Sequence, residues 1–521
     1  MDPSATSQPA DRFRFYAGVA RNTVYLTTAI GVTSGALFAC DVLLARTLTK
    51  DEYGLIVYVM GFIWFALYLS DLGLSRWLPA TLAQALGRGD TASANRILGH
   101  ALILQTAAGW LLAGLIVGIS FYVPEVARLL KDWLGAGSPV EGSEIPHYVG
   151  PWLRVLALWL VTLPFVRLLE GVYDGHQEMG YSLLAAVLRE PVRMVAIAGV
   201  VLVTHNVGWA VMAIALSSVV ILALNLILYK RFQRRAAGCR FVLDRNGLGE
   251  TFHASMYFFL PLVGLLMFPE LVRLIAGSFD SPVVAGKLKI CMSLTLLAFI
   301  PIGALARAIL PAFGSKSQDR LILRASFLGS LKLAGVINFV FFVGLAAAGA
   351  YAVRVIFGAA YPVEEMHGLM VLVALASFYE GFRLLTEPLL QGTGHARVFG
   401  YIEALRLVAI VVLGFVLVPR WPEEGIAVAL CAVNLLAWAL RFAAVQHHVV
   451  RVPWVAMTGL ALLATAMAVA AMYGWTAIFW ILTAATLLLQ ALTFTRADVA
   501  ALRNTFGILL QGLRPGKQPG E

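Results

Sequence analysis

Fourteen mainly apolar stretches, each of roughly twenty residues, follow one another along this chain and leave it little freedom. Their centres fall near Ile30, Ile63, Trp110, Leu160, Ala196, Val219, Leu265, Leu297, Phe341, Ala376, Val411, Leu435, Leu462 and Leu487. At 1.5 Å of rise per residue, about twenty residues cross the ~30 Å hydrocarbon layer with every backbone group bonded inside the segment. A soluble domain carries about 25% charged residues; this chain carries 13%, with 60% hydrophobic. The expectation is an all-α polytopic membrane protein with about 14 transmembrane helices. The first stretch, Val24 to Leu44, is long enough to span and lacks a small-residue cleavage site, so it reads as a retained helix rather than a signal peptide.

Loop charges set the expected orientation. One set of loops holds Arg12, Arg14, Arg21, Arg88, Arg96, the run Lys230-Arg231-Phe232-Gln233-Arg234-Arg235, Arg240 and Arg245. It continues through Lys316, Arg320, Arg324, Arg451, Arg496, Arg503, Arg514 and Lys517. The opposite set holds Arg46, Lys50, Arg128, Lys131, Lys287, Lys289, Arg354 and Arg420, several offset by acids. By the positive-inside rule both termini and the central basic loop are cytoplasmic, which accounts for most of the net charge of +10 without nucleic acid. Cys40, Cys239, Cys291 and Cys431 lie far apart, with no spacing for a disulfide framework or metal cluster. No metal or cofactor is expected.

The chain repeats itself. At an offset of 229, Asp41 matches Glu270, and Asp90 of "GRGD" matches Asp319 of "GSKSQD". "YVPEVARL" and "YAVRVIFG" keep that offset; after the longer outer loop it becomes 217, superposing Glu170 on Glu387, Gly175 on Gly392, Arg189 on Arg406 and Gly208 on Gly425. Two pseudo-symmetric six-helix lobes related by an axis along the membrane normal are expected, plus two C-terminal helices without counterparts. The corresponding division is an N-terminal cytoplasmic tail (1–21), an N-lobe (22–230), a basic linker (231–250), a C-lobe (251–450), the last two spans (451–495) and a C-terminal tail (496–521).

Residues 43 to 90, "LLARTLTKDEYGLIVYVMGFIWFALYLSDLGLSRWLPATLAQALGRGD", contain an LxxxEYG element followed seventeen residues later by LGL. That layout resembles the polysaccharide biosynthesis proteins, oligosaccharide-repeat-unit flippases of the multidrug/oligosaccharidyl-lipid/polysaccharide exporter (MOP) superfamily. Over about residues 20 to 450 the similarity is one of architecture. The resemblance implies a non-enzymatic carrier that moves an undecaprenyl-diphosphate-linked oligosaccharide across the bacterial inner membrane. It also implies surface polysaccharide synthesis, lipid contact, possible polymerase and chain-length partners, and possible coupling to H+ or Na+.

Ionisable residues inside apolar spans cost about 2.5–3.5 kcal/mol near the midplane and face partners or wet cavities. Arg167, Glu170 and Asp174 share one face of the fourth span, and Glu380, Arg383 and Glu387 share one of the tenth. The fifth span carries Arg189 and Arg193 around Glu190, the eleventh Glu403 and Arg406, the seventh Glu270 and Arg273. Arg307, Arg76 and Asp41 complete the set, the last two near span ends. Guanidinium suits a diphosphate because its planar fork makes paired, charge-assisted bonds at any working pH. The eight arginines 76, 167, 189, 193, 273, 307, 383 and 406 are therefore candidates for a cationic substrate cavity, with Arg189, Arg193 and Arg406 the deepest. Asp41, Glu170, Glu270, Glu387 and Glu403 are candidates for ion coupling or charge partnership. The competing reading is internal neutralisation, for which Glu403–Arg406, Glu270–Arg273 and Arg167–Glu170 have the spacing.

Two further functions compete. A cationic-drug antiporter of the same superfamily needs an acid-dominated cavity. A membrane glycan polymerase or ligase needs a larger extramembrane region than residues 124 to 150 provide, and no phosphate-binding loop is present. The nine histidines make no metal spacing and suit helix ends. Pro79, Pro164, Pro191, Pro261, Pro301, Pro311 and Pro388 mark places where helices can bend.

Overall fold

The computed structural model describes residues 9–122, 149–234, 240–244, 246–315, 320–421 and 423–493. Arg128, Lys131, Arg235, Cys239, Arg245, Lys316, Asp319, Arg496, Arg503, Arg514 and Lys517 lie outside the described residues, as does the side chain of Arg307. Sixteen helices and no strand occur among the described residues. They are α1 (Pro9–Thr47), α2 (Lys50–Ser70), α3 (Leu74–Gly87), α4 (Thr91–Ser120), α5 (Val149–Gly175), α6 (Met179–Thr204), α7 (Val207–Gln233) and α8 (Leu248–Phe279). After them come α9 (Pro282–Ser315), α10 (Arg320–Phe357), α11 (Val363–Gly381), α12 (Arg383–Gly392), α13 (Ala396–Leu417), α14 (Gly425–His448), α15 (Trp454–Met472) and α16 (Thr476–Thr493).

Among the described residues, ten helical units are long and apolar enough to cross a membrane, and eleven if the bent α8 is one span, so this is a multi-pass membrane protein. The expected second and tenth spans are the helix pairs α2–α3 and α11–α12. α6 misses the apolar criterion because Arg189, Glu190 and Arg193 crowd its middle. α8 bends by 53° between Leu248–Leu262 and Gly264–Phe279, just past Pro261. A proline there removes one backbone donor and crowds the carbonyl a turn earlier.

The break between α2 and α3 explains an odd piece of sequence. Leu72 and Gly73 turn with φ of 51° and 77°. Asp71, fully buried, accepts the Ser75 N–H at 3.0 Å and so caps α3; the Arg167 guanidinium lies 3.7 Å away. Gly73 also lets α3 press on α8, since a Cβ there would collide with the Ser255 carbonyl and the Phe259 nitrogen.

Helix packing has a recurrent pattern. α1 packs on α6 as α8 packs on α13; α4 on α5 as α10 on α11; α6 on α7 as α13 on α14; and α5 on α7 as α11 on α14. Between these groups run α2 against α8 and α9, α3 against α8, and α1 against α9 and α10. α15 and α16 pack on each other and on α10 and α11. The linker residues 240–244 lie along α4, where Arg240 and Val242 donate their N–H groups to Asn95 at 2.9 and 3.3 Å.

Candidate substrate cavity

A cavity of about 180 Å³ lies among α1, α2, α5, α6, α7, α8 and α9. Arg193, Arg273 and Lys289 line it together with Asp41 and Glu270. The remaining wall is largely aromatic and aliphatic, with Tyr53, Trp64, Tyr68 and Trp159 prominent. Arg193 pairs with Glu190 and lies over the rings of Trp64 and Trp159, 5.7 and 5.2 Å from their centroids. Arg273 pairs with Glu270 one turn away. Lys289 of α9 meets Asp41 of α1 at 3.0 Å, and Ser293 donates to the same carboxylate at 2.9 Å. Glu270 Oε2 and Tyr53 Oη are buried here without a hydrogen-bond partner, the usual sign of a place for water or ligand.

The other candidates lie elsewhere. Arg189 is held by Glu170 at 2.5 Å and Glu190 at 3.0 Å and does not line the cavity. Arg406, Arg383 and the buried Arg441 form a second cluster within α11–α14. Glu380 receives Arg383 at 2.5 Å and both Arg406 and Arg441 at 3.1 Å. Glu403 receives Arg441 at 2.5 Å and Arg406 at 3.1 Å, and Glu387 pairs with Arg383. Asn434 accepts two bonds from Arg406, whose guanidinium also lies 3.6 Å from the Phe268 ring centroid. Arg76 reaches across from α3 to Glu387 at 3.2 Å. Of the three pairs expected from spacing, Glu403–Arg406 and Glu270–Arg273 form; Arg167 turns instead to Asp71 and Glu170 to Arg189. Their partners come from other helices, which spacing along one helix does not reveal. Nor does the repeat carry over pair for pair: Arg189 holds Glu170, whereas Arg406, its counterpart, holds Glu380 and Glu403.

Where α1 ends and α2 begins, polar ties join them to later helices. Arg46 donates to the carbonyls of Val355 and Ile356 at the end of α10, at 2.6 and 2.7 Å. Lys50 meets Glu365 at 2.9 Å, and Lys287 meets Glu365 at 3.3 Å and Glu423 at 2.9 Å. Asp280, between α8 and α9, accepts the Glu423 N–H at 2.5 Å and holds that residue at a φ of 65°. Burial pushes the Asp280 carboxyl above the ordinary aspartate value, against the opposing bond from Glu423. A raised value in the fold means stability is fully present below the unfolded pKa, about 3.9, and declines as pH rises through the folded value. Asp280→Asn keeps the acceptor and removes the charge. Thermal unfolding of the purified protein should show it more stable than wild type at neutral pH, with the gap closing as pH falls toward about 4; a pH-independent gap would contradict this.

A family model described as polysaccharide biosynthesis protein matches residues 19–317, more than half of the chain. The chain belongs to the polysaccharide biosynthesis protein family. No curated protein matches it. Among solved structures, an inward-facing multidrug resistance MATE family transporter of the MOP superfamily superposes with a TM-score of 0.65 at 15% identity, covering 82% of this chain and 98% of that one. Lipid II flippase MurJ, in an inward closed conformation, also gives 0.65, at 13% identity over 90% and 98% of the two chains. A MOP superfamily transporter from Pyrococcus furiosus with a binding pocket of reversed polarity gives 0.58 at 16% identity over 83% and 95%. At these identities the likeness is one of fold: this family member has the MOP-transporter fold.

Lys289 and Arg441 were not singled out as site residues from sequence, and Lys287 and Lys289 were placed among the outer loops. The helix in fact starts at Pro282, with Ser281 Oγ accepting the Val284 N–H at 3.4 Å. A serine followed by a proline at the first helical position is the signal that could have drawn both lysines into α9.

Proposed function

We propose that this protein is a flippase that carries a lipid-linked oligosaccharide bearing a diphosphate across the inner membrane by alternating access, for surface polysaccharide synthesis. The observation that carries the reading is the cavity with three cations, Arg193, Arg273 and Lys289, against two acids, Asp41 and Glu270. Paired cations in a wall of low polarity hold a diphosphate more strongly than they would in water. The family match and the fold shared with MurJ support the same class of cargo. The recurrent helix packing supports two six-helix lobes with α15 and α16 appended, and the basic loops support cytoplasmic termini. A cavity of about 180 Å³ is too small for a glycan and of a size for a charged headgroup. Asp41 and Glu270 are the groups through which an H+ or Na+ gradient would act. A cationic-drug antiporter would need the opposite balance of charge.

Lys289→Ala and the charge-conserving Arg193→Lys, which keeps a cation beside Glu190 but loses the guanidinium fork, should lower flipping at least tenfold (about 1.4 kcal/mol) while leaving protein level unchanged. The assay is reconstituted protein with a fluorescent lipid-diphosphate sugar and a membrane-impermeant quencher. Wild-type rates in both variants would remove the cavity from the pathway.

A further inference from the structure

A second cavity, of about 610 Å³, lies toward the inner end of the molecule between α3 and the start of α8. Trp77, Thr81 and Gln84 face Glu250, His253 and Tyr257 across it. Its chemistry differs from that of the first cavity: no lysine or arginine lines it, and its one ionisable acid, Glu250, repels phosphate. Thr81, Gln84 and Glu250 make no hydrogen bond to another protein side chain among the described residues, so their donors and acceptors are open to a ligand. The aromatic groups are fixed rather than loose. Tyr257 donates to or accepts from His253 at 3.2 Å, its ring meets the imidazole edge-on, and the Arg397 guanidinium covers it 4.8 Å from the centroid.

We infer that this cleft is a binding site for neutral sugar rings, which hold the substrate's glycan at the cytoplasmic mouth before the diphosphate reaches the inner cavity. A pyranose presents C–H faces that pack on aromatic rings and an equator of hydroxyl groups that need donors and acceptors; the cleft supplies both. An acyl chain fits poorly, because it would strand Thr81, Gln84 and Glu250 without water. A lipid phosphate meets the Glu250 carboxylate, and the Arg397 guanidinium beside the cleft is engaged on the Tyr257 ring. The volume falls in the range of small-molecule sites and accommodates two or three sugar rings. Position gives the order of events. Just beyond the cleft, Gly73 lets α3 lie against the Ser255 carbonyl and Phe259 nitrogen of α8, between this cleft and the cavity of Arg193, Arg273 and Lys289 farther along α8 and α9. The two cavities thus stand in series, the outer-lying one for charge and this one for hydroxyls.

The inference rests on the flippase reading, and the test separates the two. Full-length protein in nanodiscs is titrated with a panel of neutral trisaccharides, chitotriose and maltotriose among them, and separately with inorganic diphosphate, binding being read by saturation-transfer NMR and calorimetry. The variants Gln84→Ala, His253→Ala and Tyr257→Ala replace exposed side chains, and unchanged thermal unfolding verifies that they fold. At least one trisaccharide should bind wild type and bind each variant about tenfold more weakly, with diphosphate affinity unchanged. No saturable trisaccharide binding, binding undiminished in all three variants, or displacement by phospholipid alone would overturn the sugar site. Sugar binding with no diphosphate binding would leave this site standing and remove the headgroup assignment instead.

Discussion

Arg441→Leu should destabilise the protein by about 3–5 kcal/mol, the usual cost of stranding a buried charge. Arg441 is 1% exposed and sits between Glu403 and Glu380, giving both carboxylates a partner. The cluster balances: Arg383, Arg406 and Arg441 stand against Glu380, Glu387 and Glu403. Removing one cation leaves an uncompensated anion in a low-polarity interior. Removing a matched pair does not, so Glu403→Gln/Arg441→Leu should recover most of the loss. Thermal unfolding of wild type, both single variants and the double variant in detergent provides the comparison. A double variant less stable than either single one would show that the cluster does not act as a balanced unit.

Gly54→Val should reduce transport more than tenfold (about 1.4 kcal/mol) by holding α2 and α9 apart. Gly54 of α2 lies where α9 begins, and a Cβ there would collide with the backbone of Pro282 and Val283. Gly286 approaches from the other side, with the Gly54 Cα 3.0 Å from where its own Cβ would stand. The two glycines let α2 and α9 cross at backbone contact, bringing Lys50 to Glu365 and Lys289 to Asp41. A branched side chain cannot give way where the opposing atoms are backbone. The expected signature is faster labelling of a cysteine at Met60 in the cavity by a membrane-impermeant reagent added from outside, with protein level near normal. Slower labelling, or wild-type labelling with wild-type transport, would show that this crossing does not govern outer access.

Much of the helical plan was legible because apolar length is a strong signal in a membrane chain: each expected stretch falls on a described helix or helix pair, of which ten or eleven among the described residues are long and apolar enough to cross a membrane. The break at Leu72-Gly73 was less visible, since Asp71, Gly73 and Pro79 looked like a helix end rather than an internal cap and a point of helix contact. Of the charged set, sequence located Arg193, Arg273, Asp41 and Glu270, which do line one cavity. It did not separate them from Arg189 and Arg406, whose counter-ions come from α5 and from α11. Depth along a helix follows from counting residues, whereas the azimuth of a neighbouring helix depends on packing the whole chain. Arg441 escaped notice for a related reason: it lies in the last third of α14, close to a run ending in two histidines that reads as interface.

The ion pairs fall into two grades of strength, and their placement follows a line. The driest pairs lie within one group of helices: Arg193–Glu190 has side-chain exposures of 7% and 4% and Arg441–Glu403 of 1% and 0%, while Arg189–Glu170, at 19% and 20%, stands between the grades. Pairs that join the early helices to the late ones are wet: Lys50–Glu365 at 28% and 44%, Arg76–Glu387 at 38% and 10%, Lys289–Asp41 at 23% and 16%. Wet pairs are worth at most about 1 kcal/mol each and exchange readily with water or salt, while breaking a dry pair costs several. The molecule is therefore scored along one seam, like a perforated sheet. Separation along that line breaks fewer buried charge pairs than separation within either group of helices.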